Sequence, residues 1–172
     1  MKNIEKNRIE QLLEIISDAP ALRIAHFTEG GEPFIEALND FCHEKTYEYQ
    51  LNCTTPSFYE EMKTKFELTP HLKAVNFSLD RPRYMTQAKL YEYLFVTTRI
   101  KEETRSDFLK KVHGIIKNAG IIIVFLPKGS LEERYHWVSL LEEHYFVASN
   151  TIDDLFEHYD VLISKKMHGW GG

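Results

Sequence analysis

The 172-residue sequence has only two cysteines, Cys42 and Cys53, placed on either side of one predicted strand rather than in a CxxC pair or a regular framework. Neither a disulfide scaffold nor a thiolate metal centre follows, and both read as reduced thiols of a cytoplasmic protein. Long apolar runs are missing too. Nowhere do about 18 apolar residues follow one another, the length a membrane helix needs, and residues 1–16 are charged and amphipathic rather than a signal peptide. Positive charge is scarce: 21 Lys and Arg face 26 Asp and Glu, a formal charge of -5. A nucleic-acid backbone as main partner demands a net basic face, so that partner is not expected. The patterns GxSxG, GxxxxGK[ST], HExxH and HxxxH are all absent, which removes serine hydrolases, P-loop enzymes and the common zinc enzymes. His136 and His144 lie two turns apart on one predicted helix, too far to share an ion, so no metal is expected.

What is present is an ordinary globular composition, 43% hydrophobic and 27% charged. It suits one domain over residues 1–172, with an N-terminal helix inside 1–19 and a flexible tail over 167–172. Ile4, Ile9, Leu12, Leu13 and Ile16 recur at helical spacing. Residues 21–27 form a short apolar strand, followed by Thr28, Glu29, Gly30 and Gly31 and a helical stripe of Phe34, Ile35, Leu38, Phe41 and Cys42. Strands are predicted at 47–53, 72–79 and 91–98, with a helix opening at Pro56 and a loop over 80–90 that carries Pro82. A helix over 102–117 stops at Asn118, Ala119 and Gly120. The aliphatic run 121–126 reads as a central parallel strand covered on both faces. A helix over 131–145 follows, with Tyr135, Trp137, Val138, Leu140 and Leu141 available for its buried side. Strands at 146–151 and 160–166 are joined too briefly for a parallel crossover, so they form an antiparallel hairpin. The expectation is a three-layer αβα domain around a Rossmann-like, doubly wound, mostly parallel seven-stranded sheet ending in that hairpin.

Three stretches go further. Tyr91, Glu92, Tyr93, Leu94, Phe95 and Val96 make an aromatic-rich fourth strand; Ile115, Ile116, Lys117, Asn118, Ala119 and Gly120 lead into an aliphatic fifth; and residues 140–147, through His144, Tyr145 and Phe146, lead a helix into the sixth. With the terminal hairpin, these resemble the class I methyltransferase family, which uses S-adenosylmethionine, over roughly residues 20–166. The resemblance implies that the cofactor lies along His26, Thr28, Glu29, Gly30 and Gly31, that its ribose meets Asn52 and Cys53, that its adenine meets Asp80, and that Thr97 and Thr98 border the reaction. The chain departs from the family pattern at the first strand and its loop: Ile24 stands at the acidic position and His26 and Thr28 at the first two glycines, leaving Gly30. Cys53 stands where a ribose-binding carboxylate belongs. Thr97, Thr98 and Arg99 replace the Asn-Pro-Pro-Tyr type of signature, so no catalytic residue is assigned. Two readings stand side by side: methyl transfer from S-adenosylmethionine to an unspecified acceptor, or a methyltransferase-like domain that lost the cofactor and serves as a protein-binding or scaffold module. Either places a small-molecule or protein partner at the carboxyl edge of the sheet.

Two further features are a basic cluster, on loops that project from that same edge in doubly wound folds, and the C-terminal tail. Arg81, Arg83, Lys89, Arg99 and Lys101, with Tyr84, cluster around the loops after strands three and four; they hold a phosphate, a carboxylate or a nucleic-acid strand, or else form a solvated loop offset by Glu102, Glu103 and Asp107. The tail from Lys165 to Trp170 is either a docking peptide anchored by Trp170 or a frayed end.

Overall fold

The helical stripe at Ile9, Leu12 and Leu13 and the strand alternation at 24–27 put apolar side chains on opposite sides of one sheet. The computed structural model describes residues 1–85 and 89–168. Its elements are α1 (Lys6–Leu13), β1 (Arg23–Thr28), α2 (Glu32–Lys45), β2 (Glu48–Cys53), α3 (Pro56–Lys65), β3 (Leu72–Asn76), β4 (Tyr91–Val96), a 3₁₀ turn (Glu102–Thr104), α4 (Arg105–His113), β5 (Ile116–Pro127), α5 (Leu131–Glu143), β6 (Phe146–Ile152) and β7 (Tyr159–Lys166). The sheet has seven strands in the order β3-β2-β1-β4-β5-β7-β6. Pairings from β3 through β5 are parallel, and β7 runs antiparallel to both β5 and β6. The expected mostly parallel sheet with a reversed terminal hairpin is therefore the observed one. Among the described residues no helix is long and apolar enough to cross a membrane. Gly169 to Gly172, with the proposed anchor Trp170, lie outside the described residues.

Successive side chains of β1 alternate between two cores. Ile24 joins Phe34, Leu38, Tyr49, Leu51 and Phe95 under α1, α2 and α3. Ala25 and Phe27 join Leu94, Val96, Phe108, Leu109, Trp137 and Leu141 under α4 and α5. Strand order reverses between β1 and β4, so their carboxyl ends flank the crevice where doubly wound sheets bind ligands. The crossover from β3 to β4 carries no helix among its described residues. Instead Phe77 and Tyr84 pack on Phe27, with ring centroids 5.0 and 5.9 Å away.

Two expectations are corrected. The helix predicted over 102–117 ends at His113, and β5 begins at Ile116 rather than at Ile121. The Asn-Ala-Gly run is a β-bulge: the step from Tyr91 to Tyr93 on β4 is matched by the longer step from Ile116 to Ile121 on β5, and Ala119 sits at φ 66°. A glycine after an aliphatic run marks either a helix stop or a bulge, and here strand pairing wins. On α5, Trp137 and Leu141 are buried, but Tyr135, expected on the buried side, is 69% exposed.

Gly120 is required by close packing: a Cβ there would stand 2.7 Å from both Ile116 Cγ2 and the Lys117 carbonyl oxygen. Gly120→Ala should therefore destabilise the fold by about 2 kcal/mol, measured by urea unfolding; stability equal to the parent would contradict the bulge packing.

Candidate functional site

The carboxyl ends of β1, β2 and β4 meet at the point where strand order reverses, and each brings threonines there. Thr97 N and Thr98 N both donate to the Phe27 carbonyl, at 3.0 and 3.1 Å. Thr54 donates to the Thr28 carbonyl from its amide, at 2.9 Å, and from its hydroxyl, at 3.2 Å. The Thr54 and Thr98 hydroxyls lie 3.1 Å apart. Thr28 turns its hydroxyl into its own loop and donates to Gly30 O at 2.6 Å. Gly31, at φ 83°, opens α2 in the left-handed conformation that glycine tolerates. The Met1 side chain covers this loop, its Cε 3.0 Å from where a Cβ on Gly31 would be.

His26 lies beneath these threonines, wholly buried. Its Nδ1 is 2.8 Å from the Tyr49 hydroxyl and its Nε2 2.7 Å from Thr97 Oγ1, with the ring 4.8 Å from that of Phe34. Burial holds the imidazole pKa down at about 3, so it is neutral, and the same burial pushes the Tyr49 phenol well above its ordinary value. Thr97 Oγ1 also donates to Phe27 O at 3.4 Å. With that proton committed, Nε2–H donates to Thr97 and Nδ1 accepts from Tyr49.

No family model matches this chain, and no curated protein does. Solved structures do. The citrinin polyketide synthase CMeT domain superposes with TM-score 0.72 at 13% identity, covering 93% of this chain and 50% of its own. A SAM-dependent O-methyltransferase from Thermotoga maritima gives 0.71 at 12%, covering 94% and 65%, and the N-methyltransferase NodS from Bradyrhizobium japonicum 0.67 at 12%, covering 95% and 96%. The chain has the class I methyltransferase fold. It spans about half to two thirds of the length of the first of these structures.

Against that fold's needs, the residues at the junction fit S-adenosylmethionine poorly. Bare backbone is wanted at the loop after β1, where Thr28 and the Met1 side chain take up space. A ribose-binding carboxylate is wanted at the end of β2. Cys53 is there instead, fully buried under α2 and α3, its thiol pushed up to about 12 by burial. Ile24, at the acidic position of β1, is core. Asn52 is 1% exposed and accepts from Gln50 Nε2 at 2.9 Å. Thus Thr28, Glu29, Gly30, Gly31, Thr97 and Thr98 do gather at the junction, whereas His26, Asn52 and Cys53 point into the interior. Asp80 is exposed and borders a separate 410 Å³ cleft with Thr54, Tyr84 and Phe108. Among the described residues no group of three or more His, Cys, Asp or Glu could hold a metal ion.

The larger opening, 640 Å³, lies to the other side, over the ends of β4 and β5. Ile100, Phe125, Leu126 and Trp137 give it an apolar floor, and Glu29, Arg99 and Tyr159 stand on its rim. Its wall rests on Arg105, 3% exposed, which donates to Ile100 O (3.2 Å), His136 Nδ1 (2.8 Å) and Glu133 Oε1 (2.9 Å) and lies over Trp137 at 5.3 Å. Glu133 also takes Arg99 at 2.7 Å. Sequence reasoning did not single out Arg105 or Glu133. The readable signal was Glu133, His136 and Trp137 at i, i+3 and i+4, a single face of α5.

Because His26 has a folded pKa below its ordinary 6.5, the stability that its neutrality supports is complete above about pH 6.5. It is lost as pH falls toward 3, at about 1.4 kcal/mol per unit. Urea unfolding at pH 7 and pH 4.5 should show a steeper loss for the parent than for His26→Gln; equal losses would contradict a buried neutral imidazole.

Proposed function

We propose that this chain is a small-molecule-binding domain of methyltransferase fold which uses the pocket over β4 and β5 and does not hold S-adenosylmethionine across the β1–β2–β4 junction. The carrying observation is the stitching of that junction by Thr28, Thr54, Thr97 and Thr98. Opening it for a cofactor exposes paired backbone groups and hydroxyls that a ligand must then satisfy one for one. Absence of a carboxylate at Cys53 removes the usual ribose contact in the same place. The pocket itself has a volume usual for small-molecule sites, with an apolar floor and a few polar groups at its rim. The solved neighbours bear the names of C-, O- and N-methyltransferases, so the fold alone selects no acceptor.

Calorimetric titration with S-adenosylmethionine and with S-adenosylhomocysteine, carried to millimolar, should give no saturable heat; micromolar binding of either would overturn the proposal and restore methyl transfer as the first reading. Pocket use is read separately. In a Trp170→Phe background Trp137 is the one remaining tryptophan, and anilinonaphthalene sulfonate, an anionic dye with a large aromatic body, should quench it saturably. Unchanged Trp137 emission would count against the pocket.

A further inference from the structure

Among the described residues the β3–β4 crossover carries no helix, and a second opening lies beside it, away from the carboxyl-edge sites. On the face that α4 and α5 cover elsewhere, Phe77, Arg81, Met85 and Lys89 of the β3–β4 connection line a 490 Å³ groove with residues of β1, β2, β3 and β4 among the described residues. Its cationic lining is Arg23, Lys73, Arg81 and Lys89, and its one carboxylate is Glu48, on a chain whose formal charge is -5. The basic cluster expected from the sequence is therefore divided: Arg81 and Lys89 join Arg23 and Lys73 here, while Arg99 and Lys101 stay at the carboxyl edge.

The two arginines are already oriented by the protein. Arg23 pairs with Glu48, donates to Lys89 O and lies over the Tyr91 ring at 4.6 Å. Arg81 donates to Asn76 O at 2.7 Å and lies over Phe77 at 4.5 Å. Lys73 and Lys89 are exposed, and among the described residues no carboxylate pairs with either. The sheet face alongside is a ladder of polar side chains: Tyr91 donates to Gln50 Oε1 at 2.6 Å, and Gln50 Nε2 donates to Asn52 Oδ1 at 2.9 Å. Asn52 Nδ2, at the end of the ladder, is buried with no acceptor among the described residues. Such a surface offers positive charge and very few acceptors.

We propose that this groove binds a phosphate-bearing small molecule. Two unpaired ammonium groups act as point charges, which suits a phosphate, whereas a planar carboxylate favours a free arginine fork, and both forks here have partners. Net negative charge on the chain opposes a nucleic-acid polymer, and the volume is that of a small ligand. This groove lies on a different face from the pocket over β4 and β5, and its ligand does not depend on what that pocket takes.

The test is calorimetric titration of the full chain at low salt with inorganic phosphate, pyrophosphate and AMP, against the parent, Lys73→Ala/Lys89→Ala and Arg99→Ala. Both lysines are exposed, and thermal unfolding checks that the fold is kept. Pyrophosphate or AMP should bind saturably, about tenfold or more weakly in the double-lysine variant and at raised salt, and without change in Arg99→Ala. Tighter binding of AMP than of pyrophosphate assigns an organic phosphate; the reverse assigns the free anion. No saturable binding of any probe, equal affinity in the double-lysine variant, or loss in Arg99→Ala would overturn the assignment. So would a single-stranded oligonucleotide that outcompetes AMP.

Discussion

The carbonyl oxygens of Phe27 and Thr28, the last two residues of β1, take donors from both neighbouring strands: Thr97 and Thr98 on the β4 side, Thr54 on the β2 side. In a doubly wound sheet these ends usually diverge to admit a ligand, because the crossovers leave in opposite directions at that point. Here backbone amides, joined by the Thr54, Thr97 and Thr98 hydroxyls, close the gap, and a neutral His26 held between Tyr49 and Thr97 supports the closure from below. Each hydrogen bond contributes only about 1 kcal/mol net, but buried together they cost far more to leave unmade. Open volume is displaced to either side, into the pocket over β4 and β5 and the cleft beside Asp80, with Arg99 and Ile100 as their common wall.

Much of the fold was legible in the sequence because it rests on periodicity and on connection length. The short link between the last two strands required an antiparallel hairpin, and β7 does run against both β5 and β6. The bulge at Lys117 to Gly120 was not legible, since Asn-Ala-Gly punctuates a helix end and an irregular strand alike. Tyr135 was placed on the wrong side of α5 because aromatic type outweighed position.

The site was legible in its departures more than in its contents. Ile24, His26, Thr28 and Cys53 were seen to break the family pattern from residue type alone, and three-dimensional contacts supply the reason: two are core, and two are committed to hydrogen bonds within the junction or beneath it. Arg105 escaped notice because a lone arginine near a helix start looks like surface. Its burial becomes sensible only when Glu133, His136 and Trp137 arrive from α5 to satisfy it. The groove over β2 was legible only in part: Arg81 and Lys89 stood in the basic cluster, but Arg23 and Lys73 reach it from β1 and β3, and only the sheet order brings them together.

Amide hydrogen exchange at the junction measures the closure most directly. The N–H groups of Thr54, Thr97 and Thr98, although they lie past the ends of their strands, should be protected nearly as well as those of central β4, and excess S-adenosylmethionine should leave them unchanged. Exchange at the rate of an open loop, or a change in their protection when S-adenosylmethionine is added, would contradict a junction held shut by its own hydrogen bonds.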